Sequence, residues 1–180
     1  MSNIRHLLLV LILVGTSYAD PNTEEAAFLA VPGAAWRYSN TVPRVFQRAE
    51  LPAELLKKLH GYDWGTEDER LPKEFHGFTL DLNKDGKSEY FIETIYGGSG
   101  GPAYMIFSPT ANGWRVIGGY QGILHVMADG TGWPALVTTA RGGGGNYSKT
   151  FHQFRNEKYT ETNSERYERG KITKRALANE

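Results

Sequence analysis

The sequence predicts a mainly β domain of the α+β class, with about eight short strands in antiparallel meanders and short N-terminal helices packed on one flank. Three observations predict it. From residue 75 onward, short runs of β-branched and aromatic residues alternate with Asp-Gly, Asn-Gly and glycine-rich turns. Residues 20–74 have a different texture, with Pro21, Pro32, Pro43, Pro52 and Pro72 punctuating short helical stretches. Finally, the features of the β half recur once at a nearly constant spacing.

At the N-terminus, Arg5 and His6 precede an unbroken apolar run from Leu7 to Val14, followed by the small residues that end at Ala19. This is the order of a secretory signal peptide, and the run is too short to cross a bilayer, which takes roughly 20 apolar residues. The expectation is cleavage after Ala19, export to the periplasm or outside the cell, and no membrane anchor on the mature chain. The sequence has no cysteine, which removes disulfides, thiol catalysis, Cys-based zinc sites and a lipoprotein acceptor together. Lys+Arg and Asp+Glu both number 20, so no net field gathers nucleic acid or anionic lipid, and partners must be recognised locally.

Within the 20–74 segment, residues 52–60 predict one helix. Pro52 sits in the first turn, Leu55, Leu56 and Leu59 form an apolar stripe, and Lys57 and Lys58 complement the C-terminal dipole. Gly61 is placed to end the helix in the left-handed conformation. Strands are expected at 77–82, 89–96, 103–108, 114–120, 123–128, 134–140, 147–155 and 158–162. Residues 163–180 are charge-dense and are expected as a frayed or helical tail.

The recurrence runs from Asp85-Gly86, through a strand, to the glycines from Gly97, then to Phe107 and Trp114. It returns 44 to 47 residues later as Asp129-Gly130, the glycines from Gly142, Phe154 and Tyr159. A period in the mid-forties is that of a four-stranded propeller blade. Two blade-like units, 77–120 and 121–162, cannot close a ring. They should pack on each other or under the helices as an open β assembly or sandwich.

The most specific motif is Asp81-Leu82-Asn83-Lys84-Asp85-Gly86-Lys87-Ser88-Glu89, with oxygen-bearing side chains at alternate positions and a glycine where the turn must tighten. Calcium takes about 6 to 8 oxygens in a flexible shell. An EF-hand would need a carboxylate at the twelfth loop position, where this chain has Ile92, and helices on both sides. Strand-like flanks stand there instead. The alternative is an Asp-Gly hairpin turn whose Asp and Asn satisfy backbone N–H groups.

The loop resembles the Ca²⁺ loop of FG-GAP and VCBS-type repeats, exported bacterial modules in which it joins two strands of a blade. The resemblance implies that the first, third, fifth and ninth residues, here Asp81, Asn83, Asp85 and Glu89, hold the ion; the loop itself offers the carbonyl of Lys87 beside Glu89 to close the shell. Family members usually carry Asp at the ninth position, where this chain has Glu89. The second copy, with Val126, Ala128 and Gly130 at the matching places, keeps only Asp129, so one site is expected. A shell filled by one loop's own oxygens implies a structural ion.

Other signals are weaker. The glycine-rich stretches lack the Gly-Lys pair of a phosphate loop and open no helix, so they read as hairpin loops. Their equivalent places in the repeat would set them on one rim beside Ser99, Tyr104, Arg141 and Tyr147, a candidate binding surface for an envelope protein or glycan. His60, His76, His125 and His152 are scattered, and no nucleophile elbow or zinc-protease motif is present. The expected function is therefore non-enzymatic binding. Two rivals remain: a periplasmic lysozyme inhibitor, since Ser99 to Tyr104 is similar, with one residue more, to the Ser-Gly-x-x-Tyr loop of such inhibitors, and a hydrolase with an unrecognised site.

Overall fold

The structure, a computed structural model, describes residues 23–38, 44–62, 71–94, 100–128 and 132–176. The expected signal peptide, the repeat residue Asp129 and the rim residue Ser99 lie outside them. The described chain is mainly β and forms two antiparallel sheets. Its elements are α1 (Thr23–Leu29), β1 (Ala34–Tyr38), β2 (Arg44–Gln47), a 3₁₀ turn (Arg48–Glu50), α2 (Ala53–Leu59), β3 (Glu74–Leu80) and β4 (Glu89–Thr94). There follow β5 (Ala103–Thr110), β6 (Gly113–Gln121), β7 (Ile123–Met127), β8 (Leu136–Gly143), β9 (Asn146–Arg155), β10 (Lys158–Glu168) and β11 (Lys171–Ala176). One sheet has the order β2-β3-β4-β5-β6 and the other β1-β7-β8-β9-β10-β11.

Period-2 alternation assigns each side chain to a layer. On β4 and β5, Phe91, Tyr104 and Ile106 point to the other sheet, while Ile92 and Phe107 point away from it. A register shift against Ile106 and Phe107 of β5 bulges Ile117 out of β6. The inter-sheet core joins these residues to Leu124, Val126, Leu136 and Tyr159 of the six-stranded sheet. Aromatic rings run through it: Phe78 stacks on Phe91 at 4.4 Å between centroids and meets Trp36 at 5.7 Å, and Tyr104 stacks on Tyr120 at 5.3 Å.

Helix α2 lays Leu55 and Leu59 on the opposite face of the five-stranded sheet, against Phe46, Phe75, Ile92 and Phe107. Helix α1 sets Phe28 with Tyr147 and Tyr167 on the outer face of the six-stranded sheet. Among the described residues each sheet thus carries one helix, where the sequence suggested that both share a flank. The reason is connectivity: β1 follows α1 into one sheet, and β2 precedes α2 in the other.

Two local expectations are corrected. Gly61 does not enter the left-handed region, because α2 closes on αR backbone at His60, with Gly61 N–H donating to the Lys58 carbonyl at 3.1 Å. The charged tail is not frayed or helical within the described residues. It completes β10 and turns through Arg169 (φ 49°) and Gly170 (φ 78°) into β11, whose Lys174 pairs with Glu165 at 2.9 Å. Charge on every second or third position concealed a strand that is apolar at few places and sits at the sheet edge.

Between β6 and β7 the chain changes sheets through one residue, Gly122. Its φ is +89°, and a Cβ there would lie 2.3 Å from the Thr139 carbonyl oxygen and 3.0 Å from Ala140 Cα, both backbone atoms. Gly132 has a similar φ of +94° but open space around it. Changing Gly132→Ala should therefore cost only the left-handed penalty of about 1–2 kcal/mol. Gly122→Ala should cost at least about 2 kcal/mol more, because overpacking against fixed backbone adds to that penalty. Urea unfolding of the two variants checks this, and equal losses would refute the role given to Gly122.

Candidate metal-binding loop

The β3–β4 connection folds around its own side-chain oxygens. Asp81 Oδ1 accepts the Asp85 N–H at 3.2 Å, and Oδ2 accepts the Gly86 N–H at 2.9 Å. Asn83 Oδ1 shares the Asp85 N–H at 3.2 Å, while its amide donates to Asp85 Oδ2 at 3.1 Å. Asp85 Oδ1 accepts the Lys87 N–H at 2.8 Å. The turn requires left-handed backbone at Lys84 (φ 59°) and Gly86 (φ 85°), and Gly86 supplies the second at no steric cost.

Glu89 differs from the other loop carboxylates. It is 1% exposed at the start of β4. Its Oε2 accepts the Leu82 N–H at 2.8 Å, and its Oε1 accepts the Ser108 hydroxyl at 3.1 Å. One carboxylate thus ties the loop to β5, two strands from where the loop begins. Burial raises its pKa, opposed by these hydrogen bonds, and the nearby Asp85 charge raises it further.

The donor chemistry of Asp81, Asn83 and Asp85 fits a hard cation. Their oxygens sit on one short loop, and each that accepts a single N–H keeps a lone pair. Lys87, whose carbonyl is expected to complete the set beside Glu89, lies exposed at the end of the loop. Among the described residues, no three His, Asp or Glu side chains are gathered closely enough to form a ready-made shell.

The rim residues are not brought together. Tyr104 is 2% exposed in the inter-sheet core, and Tyr147 is 9% exposed beneath α1, on the other sheet. Arg141 is exposed near the end of β8. The expectation that both tyrosines stand on one binding rim is therefore corrected. Each ring follows the period-2 face of its strand into a core instead of the direction of the adjacent turn.

Two histidines have strongly shifted behaviour that their isolated positions in the sequence did not signal. His125 is buried, with Nε2 3.3 Å from Thr139 Oγ1. Burial, helped by the charges of Arg37 and Lys149, lowers its pKa to about 4. His152 pairs with Thr138 Oγ1 at 3.3 Å and is lowered to about 4 by burial. Both are neutral at pH 7. Thr138 and Thr139 are themselves buried, so neither pair offers a hydroxyl to a substrate.

Ser108 is a site residue that sequence reasoning missed. It stands 19 positions from the Glu89 it binds, and no local signal marks it. Comparison of the chain with family models, curated proteins and solved structures finds no match.

The raised pKa of Glu89 has a signed consequence. The folded chain holds the Glu89 proton more tightly than the unfolded chain, so in chelator its contribution makes stability fall as pH rises from the usual carboxylate range through the raised value. Glu89→Gln should remove that slope and fold normally, whereas Glu89→Ala should lose roughly 1–3 kcal/mol by orphaning the Leu82 N–H and the Ser108 hydroxyl. Unfolding midpoints measured from pH 4 to 8 test this, and an unchanged slope in Glu89→Gln would rule it out.

Proposed function

We propose that this chain is an exported, non-enzymatic β domain that works by binding a protein or glycan of the cell envelope. In this reading the β3–β4 loop holds one structural Ca²⁺. The observation that carries it is the closure of Asp81, Asn83 and Asp85 into a single oxygen-lined turn anchored by the buried Glu89. Asp81, Asn83, Asp85, Glu89 and the Lys87 carbonyl would hold the ion. Bound there, Ca²⁺ would supply positive charge to a loop that presents three carboxylates and would pin the β3–β4 hairpin.

The same reading treats the two meanders as tandem blade-like units. Support comes from strand order, since β3 to β6 are consecutive neighbours in one sheet and β7 to β10 in the other. Export rests on the leader-like N-terminus, and binding without catalysis on the lack of a recognisable reactive constellation in the sequence.

Thermal unfolding of residues 20–180 in EDTA and in millimolar Ca²⁺, beside Asp85→Ala, tests the metal reading. Ca²⁺ should stabilise the parent by about 2.7 kcal/mol at a hundredfold excess over Kd, and Asp85→Ala should lose most of that gain. Identical unfolding in EDTA and Ca²⁺ would reduce the loop to a hydrogen-bonded turn.

A further inference from the structure

The outer face of the six-stranded sheet holds a cleft of about 520 Å³ between the chain leaving α1 and strands β7, β8 and β9. That volume lies within the roughly 300–1,000 Å³ usual for small-molecule sites. Its walls are mainly apolar and include Val31, Met127, Leu136, Val137 and Phe151. Among the described residues no Asp or Glu lines it, and Lys149 is its one lining Lys or Arg.

Lys149 is 8% exposed. Its Nζ donates to the Ala30 carbonyl at 2.8 Å, and Ala30 also lines the cleft. The ammonium lies 5.0 Å from the centroid of Phe28. Its cross-strand neighbour Glu165 would be the natural counter-ion, but Glu165 pairs with Lys174 at 2.9 Å. Among the described residues Lys149 makes no ion pair. A buried ammonium has three N–H donors and a charge that one carbonyl and one ring only partly compensate. Consistent with this, burial lowers its pKa, which Glu165 only partly opposes.

We propose that this cleft binds a small apolar carboxylic acid, its carboxylate paired with Lys149 Nζ and its hydrocarbon part laid on Val31, Met127, Val137 and Phe151. Charge complementarity selects the headgroup. Lys149 is a point cation with no arginine fork beside it among the described lining residues, which suits a monoanion better than a phosphate dianion. The apolar walls select the tail. His152, also in the lining, is neutral and adds no charge.

Decanoate and 1-decanol, titrated below self-association while methyl resonances are followed by NMR, test the proposal. Decanoate should shift the methyls of Val31, Met127 and Val137 saturably, and decanol should bind at least about tenfold more weakly. Lys149→Gln should lose that tenfold advantage, while Lys149→Arg keeps most of it. The proposal is overturned by an absence of saturable shifts at these methyls, by equal affinity for acid and alcohol, or by a folded Lys149→Gln that prefers decanoate undiminished. Should Lys149→Gln fail to fold, the comparison of acid with alcohol on the parent chain still decides.

Discussion

The relation between the two sheets depends on one residue without a side chain. Gly122 alone separates β6 from β7, and the strands on either side belong to different sheets. Its N–H donates to the Pro102 carbonyl at 3.0 Å, fixing the corner to the start of β5, and its Cα packs against the backbone of β8. Tyr120 and Leu124, just before and after the corner, enter the same inter-sheet core. The facing of the sheets is therefore set locally, at the point where a left-handed backbone and a close approach both demand glycine. The neighbouring Gly118 makes room in the same way. A Cβ there would come within 3.1 Å of Tyr159 Cβ, so its absence lets β10 settle on β6, with the Tyr159 hydroxyl reaching the Pro134 carbonyl at 3.0 Å.

Once the sheets face each other, the inner faces supply the core and the outer faces need cover. The helices provide it differently. α2 brings leucines at 0% exposure to the five-stranded sheet, a largely apolar seal. α1, of the same length, is held besides Phe28 by a polar contact, the ammonium of Lys149 on the carbonyl of Ala30 just past the helix. The second seal is the less complete, and the cleft opens beside it.

Much of this was legible in the sequence where the signal is local. The strands from β3 to β9 follow from runs of β-branched and aromatic residues between glycine-containing turns, and α2 from the Leu55 and Leu59 stripe. The short β1 and β2 escaped, because four or five residues with one or two inward side chains carry too little period to read. The tail hairpin escaped because all of β11 is exposed and its pattern answers to solvent, not to a core. At the site, Asp81, Asn83 and Asp85 were visible as a contiguous motif, whereas Ser108 and the burial of Glu89 depend on pairing β4 with β5. Tyr104 and Tyr147 do not form the expected rim because adjacent glycines mark turns but do not report burial. A signal for Lys149 was present: it alternates with Tyr147 and Phe151, so strand geometry places the lysine on the same face as two aromatics.

Glu89 and Lys149 pose the same physical problem with opposite sign. Each is almost fully buried, and each is held by neutral groups, Glu89 by an N–H and a hydroxyl, Lys149 by a carbonyl and a ring. They belong to different sheets, and neither is among the charges that act on the other. Burying an ionised group costs several kcal/mol unless a partner of opposite charge repays it. A fold selected for stability alone would place apolar residues of similar volume at both positions. Retaining two such ionisable groups fits the two proposals, in which the partners come from outside the chain, a cation for the carboxylate loop and an anion for the lysine cleft. The two ligands would then stabilise the domain independently, one by pinning the β3–β4 hairpin and the other by completing the seal beneath α1.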